Sequence, residues 1–224
     1  NPLFFIEFNN EIIFPTKVHK HLGVMFSSDL KWTAHVEHII NQTNKKLGLL
    51  KRQSKFLSFE QKCTVYLNMI RPAIEYASNI YDGCGLNESL KLEQLQRKAA
   101  LICSGAHYRT ENKLLVNILC WDSLGSRRKV AKLQLFYMML RKLTPSYLSD
   151  LIHLLPPGSH DTRLRKTSNF TVEAKLYRSS FCSKSFIPST TVLWNGLPES
   201  VKQLDTTSKF KEGLKTYFKF YPTN

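Results

Sequence analysis

The residues that could do chemistry are spread thinly along this chain. Its six aspartates, Asp29, Asp82, Asp122, Asp150, Asp161 and Asp205, are never adjacent, and none sits in an apolar strand running into a turn. A two-metal nucleotidyl-transfer centre needs carboxylates that converge on cations a few ångströms apart, and no local pattern here encodes one. His19 and His21 fall on one face of a strand, and His35 and His38 lie one turn apart on a helix. Neither pair brings the ligand set of a complete metal site, so they read as surface or half-buried imidazoles. Cys63, Cys84, Cys103, Cys120 and Cys182 are too far apart for a C-x-x-C pair or a zinc knuckle and read as reduced, mostly buried thiols. No nucleophile elbow, phosphate-binding loop or Cys-His couple occurs, and Gly83-Cys84-Gly85 lacks the strand-to-helix context of a dinucleotide loop. The expected catalytic and metal sets are therefore empty, with no cofactor in this chain, and the chain is not expected to be active alone.

Binding is better signposted than catalysis. Lys plus Arg outnumber Asp plus Glu by 32 to 17, a formal charge of +15, and a surface of that sign attracts polyanions. Nucleic acid is the leading partner; charge alone leaves an inert basic surface and an anionic membrane contact open. No apolar run approaches the roughly 18 residues of a membrane span, which predicts a soluble chain, and the reduced thiols predict an intracellular one, of the nucleus or cytoplasm; no membrane partner and no small-molecule substrate are expected. The opening Asn-Pro-Leu-Phe-Phe has no initiator Met and no leader, and reads as an internal point of a longer protein.

The elements that must position such a surface are mainly helical. Residues 3 to 26 are the convincing β region, broken at Asn9-Asn10 and Pro15-Thr16 into a small antiparallel sheet or a pair of hairpins. From about Thr33 to Phe56 two helix faces separate: Val36, Ile39, Ile40, Thr43, Leu47 and Leu50 inward, Asn41, Lys45, Gly48, Arg52 and Lys55 outward. Read alone, the outward stripe fits a solvated lysine face at least as well as a phosphate-tracking one. Ser58 and Gln61 form a capping box that opens one long, mostly buried helix to Tyr81, bent at Pro72. Further helices are expected over Asn87–Ser104, with Arg97 on the outside and Gly105 as the stop, over Lys113–Cys120, and over Leu124–Leu143. The last has a basic first half, Arg127, Arg128, Lys129 and Lys132, expected to face solvent or ligand, and an apolar second half. A second positive cluster, Arg163, Arg165, Lys166, Lys175 and Arg178, surrounds a strand-like run at Phe170–Ala174, and a terminal amphipathic helix spans Thr207–Phe220. The expected fold is mainly α, a helical bundle with a small N-terminal antiparallel β region and a loop-rich C-terminal α+β segment, divided as residues 1–31, 32–145 and 146–224.

Five segments in order resemble the C-terminal part of reverse transcriptases of non-LTR (LINE-type, Jockey-like) retrotransposons. Lys20-His21-Leu22-Gly23-Val24, continuing to Asp29-Leu30-Lys31-Trp32 and His35, is similar to the "YLGV … L-x-W-x-x-H-I" run that follows the polymerase palm, with His21 where Tyr is usual. Ile70-Arg71-Pro72-Ala73-Ile74-Glu75-Tyr76-Ala77-Ser78 resembles "RPxLEYAS", and Leu95-Gln96-Arg97-Lys98-Ala99-Ala100 resembles "LQRKAAR", Leu101 standing for its Arg. Cys120-Trp121-Asp122-Ser123-Leu124 with Arg127-Arg128 resembles "GWxSLxxRR", and Phe186-Ile187-Pro188 with Leu193-Trp194-Asn195-Gly196-Leu197-Pro198 resembles "FFP … WNxLP".

The resemblance implies the thumb and C-terminal portion of an RNA-directed DNA polymerase. Residues 1 to 31 then correspond to the palm edge, with His21, Leu22, Gly23 and Val24 in the primer-grip region. The family's "[FY]-x-D-D" motif lies upstream of the LGV run and is absent here, so the Mg2+ of the parent polymerase would be held elsewhere. The implied partners are an RNA template, a DNA primer, and the palm and fingers of the same polyprotein. A thumb helix is expected to lie against a duplex backbone, which selects Lys45, Arg52, Lys55, Arg97, Arg127 and Arg128 as nucleic-acid contacts. The alternative is a transposon remnant or domesticated helical module that serves protein interaction, with only non-specific polyanion binding.

Overall fold

Asn9 and Asn10 both adopt positive φ, 50° and 62°, the backbone that a two-residue hairpin turn of matching twist requires. They join β1 (Ile6–Phe8) to β2 (Glu11–Ile13), with Ile6 opposite Ile13 and Phe8 opposite Glu11. Leu22 and Gly23, at φ 45° and 82°, do the same for β3 (Val18–His21) and β4 (Val24–Ser27), whose register runs from Val18↔Ser27 to His21↔Val24. The β region is thus the pair of hairpins, each its own two-stranded sheet. The computed structural model describes residues 5–155, 170–175 and 177–220, without the side chains of Lys113, Val116 and Asn117. Arg163, Arg165 and Lys166 of the second expected basic cluster lie outside the described residues; Lys175 and Arg178 are exposed.

The inward stripe read from the sequence forms the seam of the first helical body. Helix α1 (Thr33–Gln53) buries Val36, Ile39, Thr43, Leu47 and Leu50, and a short 3-10 turn, Ser54–Phe56, follows it. Ser58 and Gln61 make both bonds of the capping box and start α2 (Phe59–Val65). The single long helix expected from there to Tyr81 is instead broken twice. A wide π turn, Tyr66–Ile70, leads into α3 (Arg71–Glu75), with Pro72 in its first turn where a missing N–H costs nothing. Lys46 Nζ donates to the Met69 carbonyl of the wide turn at 3.1 Å. Ala77 then adopts a left-handed backbone at φ 55°, and α4 (Ser78–Tyr81) follows it. Gly85, rather than Asn87, caps α5 (Leu86–Ser104), and Gly105 at φ 68° ends it, before α6 (Asn112–Leu119). Helix α5 packs along α1 and α2. In that seam the fully buried Tyr66 donates to Gln96 Oε1 at 3.0 Å, so the pair satisfies polar atoms that burial would otherwise penalise.

Ser123 caps α7 (Leu124–Leu140), around which the remaining elements gather: α8 (Ser146–Ser149), α9 (Ser180–Lys184), α10 (Phe186–Asn195), α11 (Glu199–Lys202) and α12 (Thr207–Phe220). The apolar half of α7 is enclosed as expected, with Phe136 and Tyr137 against Trp194 of α10 and Phe210 of α12. Tyr137 and Phe210 stack at 4.4 Å between ring centroids, and the Trp194 ring lies 5.8 Å from Phe210. Trp194 Nε1 donates to the Phe170 carbonyl, while Asn195 accepts from and donates to the Val172 backbone. The Trp-Asn pair thereby pins the strand-like run, which bonds to residues 153 and 155 beside it.

The chain falls into two compact units, one reaching Tyr76 and resuming over Cys84–Leu119, the other holding Ala77–Gly83 and the chain from Cys120 onward. The expected breaks near residues 31 and 145 are not where packing divides it. Hairpin β3–β4 joins α1, and α7 joins the C-terminal helices because its aromatic half is their core. Among the described residues no helix is long and apolar enough to cross a membrane.

Candidate nucleic-acid interface

Positions 45, 52 and 55 follow one another by seven and three residues, which returns a helix to nearly the same side each time. On α1 and the turn after it, Lys45, Arg52 and Lys55 are all exposed, opposite the buried stripe. At 1.5 Å rise per residue they span about 15 Å of helix length. Between them Gly48 leaves the surface low: a Cβ there would meet only the mobile tip of Arg52, at 3.9 Å. Lys55 Nζ rests 4.9 Å from the centroid of the Phe56 ring, which is itself largely exposed.

The Leu22-Gly23 turn belongs to the same unit and is fixed to it from two sides. Val24, the first residue of β4, is buried, and the Met25 amide donates to His35 Nδ1 at 3.3 Å. His35 is 2% exposed, and burial, with His38 nearby as the lesser cause, holds its pKa below the ordinary imidazole value, keeping Nδ1 free to accept. At the tip, the Tyr76 hydroxyl donates to the Leu22 carbonyl at 2.8 Å. Leu22 projects with 77% of its surface exposed, and His21 is exposed beside it. Two of the segments singled out in the sequence, Leu22-Gly23-Val24 and Glu75-Tyr76, are therefore in direct contact.

The other three expected contacts behave differently. Arg97 turns its guanidinium back on its own chain, donating to the Thr110 carbonyl at 2.9 Å, the Tyr108 carbonyl at 2.8 Å and Asn112 Oδ1. Arg128 is a correction: the basic half of α7 was expected to face solvent or ligand, yet Arg128 is 4% exposed and pairs through Nε with Asp82 Oδ1 at 3.2 Å. Lys132, equally buried, donates to Asp82 Oδ2 and to Ser189 Oγ, each at 2.8 Å. One carboxylate anchors two buried cations, and beside them burial lowers the Lys129 pKa, opposed by the attraction of Asp82. Arg127 is half-buried, in the second unit. Only Lys45, Arg52 and Lys55 of the six form one exposed face.

No protein-family model, no curated protein and no solved structure matches this chain.

Two participants were not visible in the sequence. Asp82 is one of six scattered aspartates in the sequence, and nothing local shows that it will meet cations 46 and 50 residues further on. Tyr108 lies in a short loop three residues past the Gly105 helix stop, and the aromatic-cation run His107-Tyr108-Arg109 is its local signal. The thiols also need correcting. None of the five is in a disulfide, but Cys120 and Cys182 are exposed, Cys63 and Cys84 intermediate, and Cys103 alone buried. His19 and His21 do share a strand face, their ring centroids 6.4 Å apart. Among the described residues no group of three or more His, Cys, Asp or Glu is placed to hold a metal ion.

Proposed function

We propose that the unit built on α1 is a thumb-like grip for an RNA template and DNA primer, from an RNA-directed DNA polymerase of the non-LTR retrotransposon kind. The observation that carries this reading is the exposed Lys45/Arg52/Lys55 side of α1, set opposite a fully packed face and beside a low surface at Gly48. Cations so arranged bind a sugar-phosphate backbone through charge, which positions a duplex without reading its sequence. The contact between the Leu22-Gly23 turn and Tyr76 supports the family reading, because it gives two separated motifs one structural purpose. In this reading catalytic carboxylates and their Mg2+ belong to a palm upstream, and this chain holds the duplex without cutting or joining it.

The test is a salt titration of binding to a labelled RNA–DNA primed duplex, followed by fluorescence anisotropy. Replacing Lys45, Arg52 and Lys55 together by Gln should lower the slope of log affinity against log salt by about two to three units, at roughly 0.7–0.9 per lost phosphate contact. An unchanged slope removes the α1 face from the reading.

A specific feature favours a second reading, that of a protein-interaction module. Hairpin β1–β2 carries Ile6, Phe8, Ile12 and Ile13, all more than half exposed, a density of surface apolar side chains that marks interaction sites. That reading predicts weak binding to any polyanion, without preference for primed duplex over heparin.

A further inference from the structure

The segment between α5 and α6 holds aromatic and cationic side chains outward on a loop fastened from below. Gly105 reverses the chain, and the Thr110 amide donates to the His107 carbonyl at 2.9 Å to close a turn. Beneath it the Arg97 guanidinium takes the carbonyls of Tyr108 and Thr110 together with Asn112 Oδ1, so one planar fork fixes the loop from Tyr108 to its C-terminal end. A half-buried arginine spent on loop carbonyls orders backbone that would otherwise lose entropy on binding. What the loop presents is unusual for a surface turn. Tyr108 is 63% exposed, its ring 4.4 Å from that of His107 and 5.4 Å from the Arg109 guanidinium carbon, and Arg109 Nε donates to the Tyr108 hydroxyl at 2.9 Å. Three flat groups are thus gathered in one exposed cluster, with a fixed positive charge among them.

We infer that the His107-Tyr108-Arg109 loop is a stacking platform for an unpaired nucleotide of single-stranded RNA or DNA. Every base has a π-face, so a rigid aromatic beside a cation holds a strand without choosing its sequence. A paired duplex hides those faces in its own stack, which makes single strand the ligand this cluster can distinguish. Arg97, taken from the sequence as a phosphate contact, becomes a positioning residue for the platform. The inference rests on the proposed function only in taking nucleic acid as the ligand class.

The experiment measures anisotropy of the full chain with a labelled 12-nucleotide oligo(U) and with a blunt RNA–DNA duplex of equal length. Tyr108→Ala should weaken the single strand roughly tenfold, leave duplex affinity unchanged, and leave the salt slope unchanged, since stacking releases no counterions. Tyr108→Phe, which keeps the ring, should bind like wild type, and Arg97→Lys, which loses the fork, should fall between. Tyr108 makes no buried contact, and matched melting curves will show that the variants fold. A Tyr108→Ala chain that binds oligo(U) as wild type does, or that loses single strand and duplex equally, overturns the platform while leaving the α1 grip standing. Wild type that binds neither ligand overturns both.

Discussion

Tyr76 and Leu22 lie 54 residues apart in sequence, yet the tyrosine hydroxyl donates to the leucine carbonyl at 2.8 Å. The contact extends to Gly23, where a Cβ would stand 3.3 Å from the Tyr76 ring on a backbone already at φ +82°. The hairpin tip is therefore clamped between its own turn geometry and a tyrosine from the end of α3.

Gly23→Ala should destabilise the first unit by about 1–2 kcal/mol, because alanine pays for left-handed backbone and must also push the ring aside. Tyr76→Phe, which removes only a largely exposed hydrogen bond, should cost about 0.5–1 kcal/mol. Urea unfolding measures both. A Gly23→Ala midpoint within error of wild type would mean that turn strain at Gly23 contributes nothing.

The Asp82 cluster gives a larger effect. Asp82→Asn removes the carboxylate that faces Arg128 and Lys132 while both cations stay 4% and 2% exposed, a change of the kind that costs about 3–5 kcal/mol. Replacing all three by Leu and Met together should recover most of that loss, since no buried charge then remains. A urea midpoint for Asp82→Asn within error of wild type would show the cluster to be solvated.

Whether these features could be read from the sequence divides along a physical line. Elements whose signal is local were legible: the buried stripe of α1, the Ser58/Gln61 capping box, the Gly105 stop and the bounds of α12 all follow from spacing within a few turns. The three α1 cations were legible for the same reason. Features set by distant partners were not. Arg127-Arg128-Lys129 looks like any solvated helix end until Asp82 is brought to it, and the left-handed residue Ala77 precedes a short α4 whose packing on α7 is set by residues far along the chain. Pro72 announced a distortion, but not that a π turn would take it up one turn earlier.

Two thiols in the seam of the first unit should resist reagents that reach the others. Burial is the first cause raising both pKa values, pushing Cys103 up to about 12, and the two sulfurs influence each other. Native protein at pH 8 should label rapidly at the exposed Cys120 and Cys182 and not at Cys103 until denaturant is added. Peptide mapping after iodoacetamide treatment checks this; early labelling of Cys103 would mean that α5 opens readily.

The last prediction turns the His35 environment into a pH dependence. Burial lowers its folded-state pKa, so the unfolded chain, at about 6.5, takes up a proton first as pH falls. Above that pH both states are neutral and the group contributes no pH dependence. Below it the unfolded state gains protons that the folded state refuses, so stability declines until the folded-state pKa is reached. Protonation at Nδ1 would also remove the acceptor for the Met25 amide, releasing β4 from α1 and with it the Leu22-Gly23 turn. Urea midpoints measured from pH 7.5 to pH 5 should fall steadily in wild type and less in His35→Asn, which starts less stable but cannot titrate. Duplex affinity, corrected for the salt slope, should track the same transition if the turn is part of the grip. A wild-type stability curve flat down to pH 5 would mean that His35 takes up its proton alike in the folded and unfolded chain.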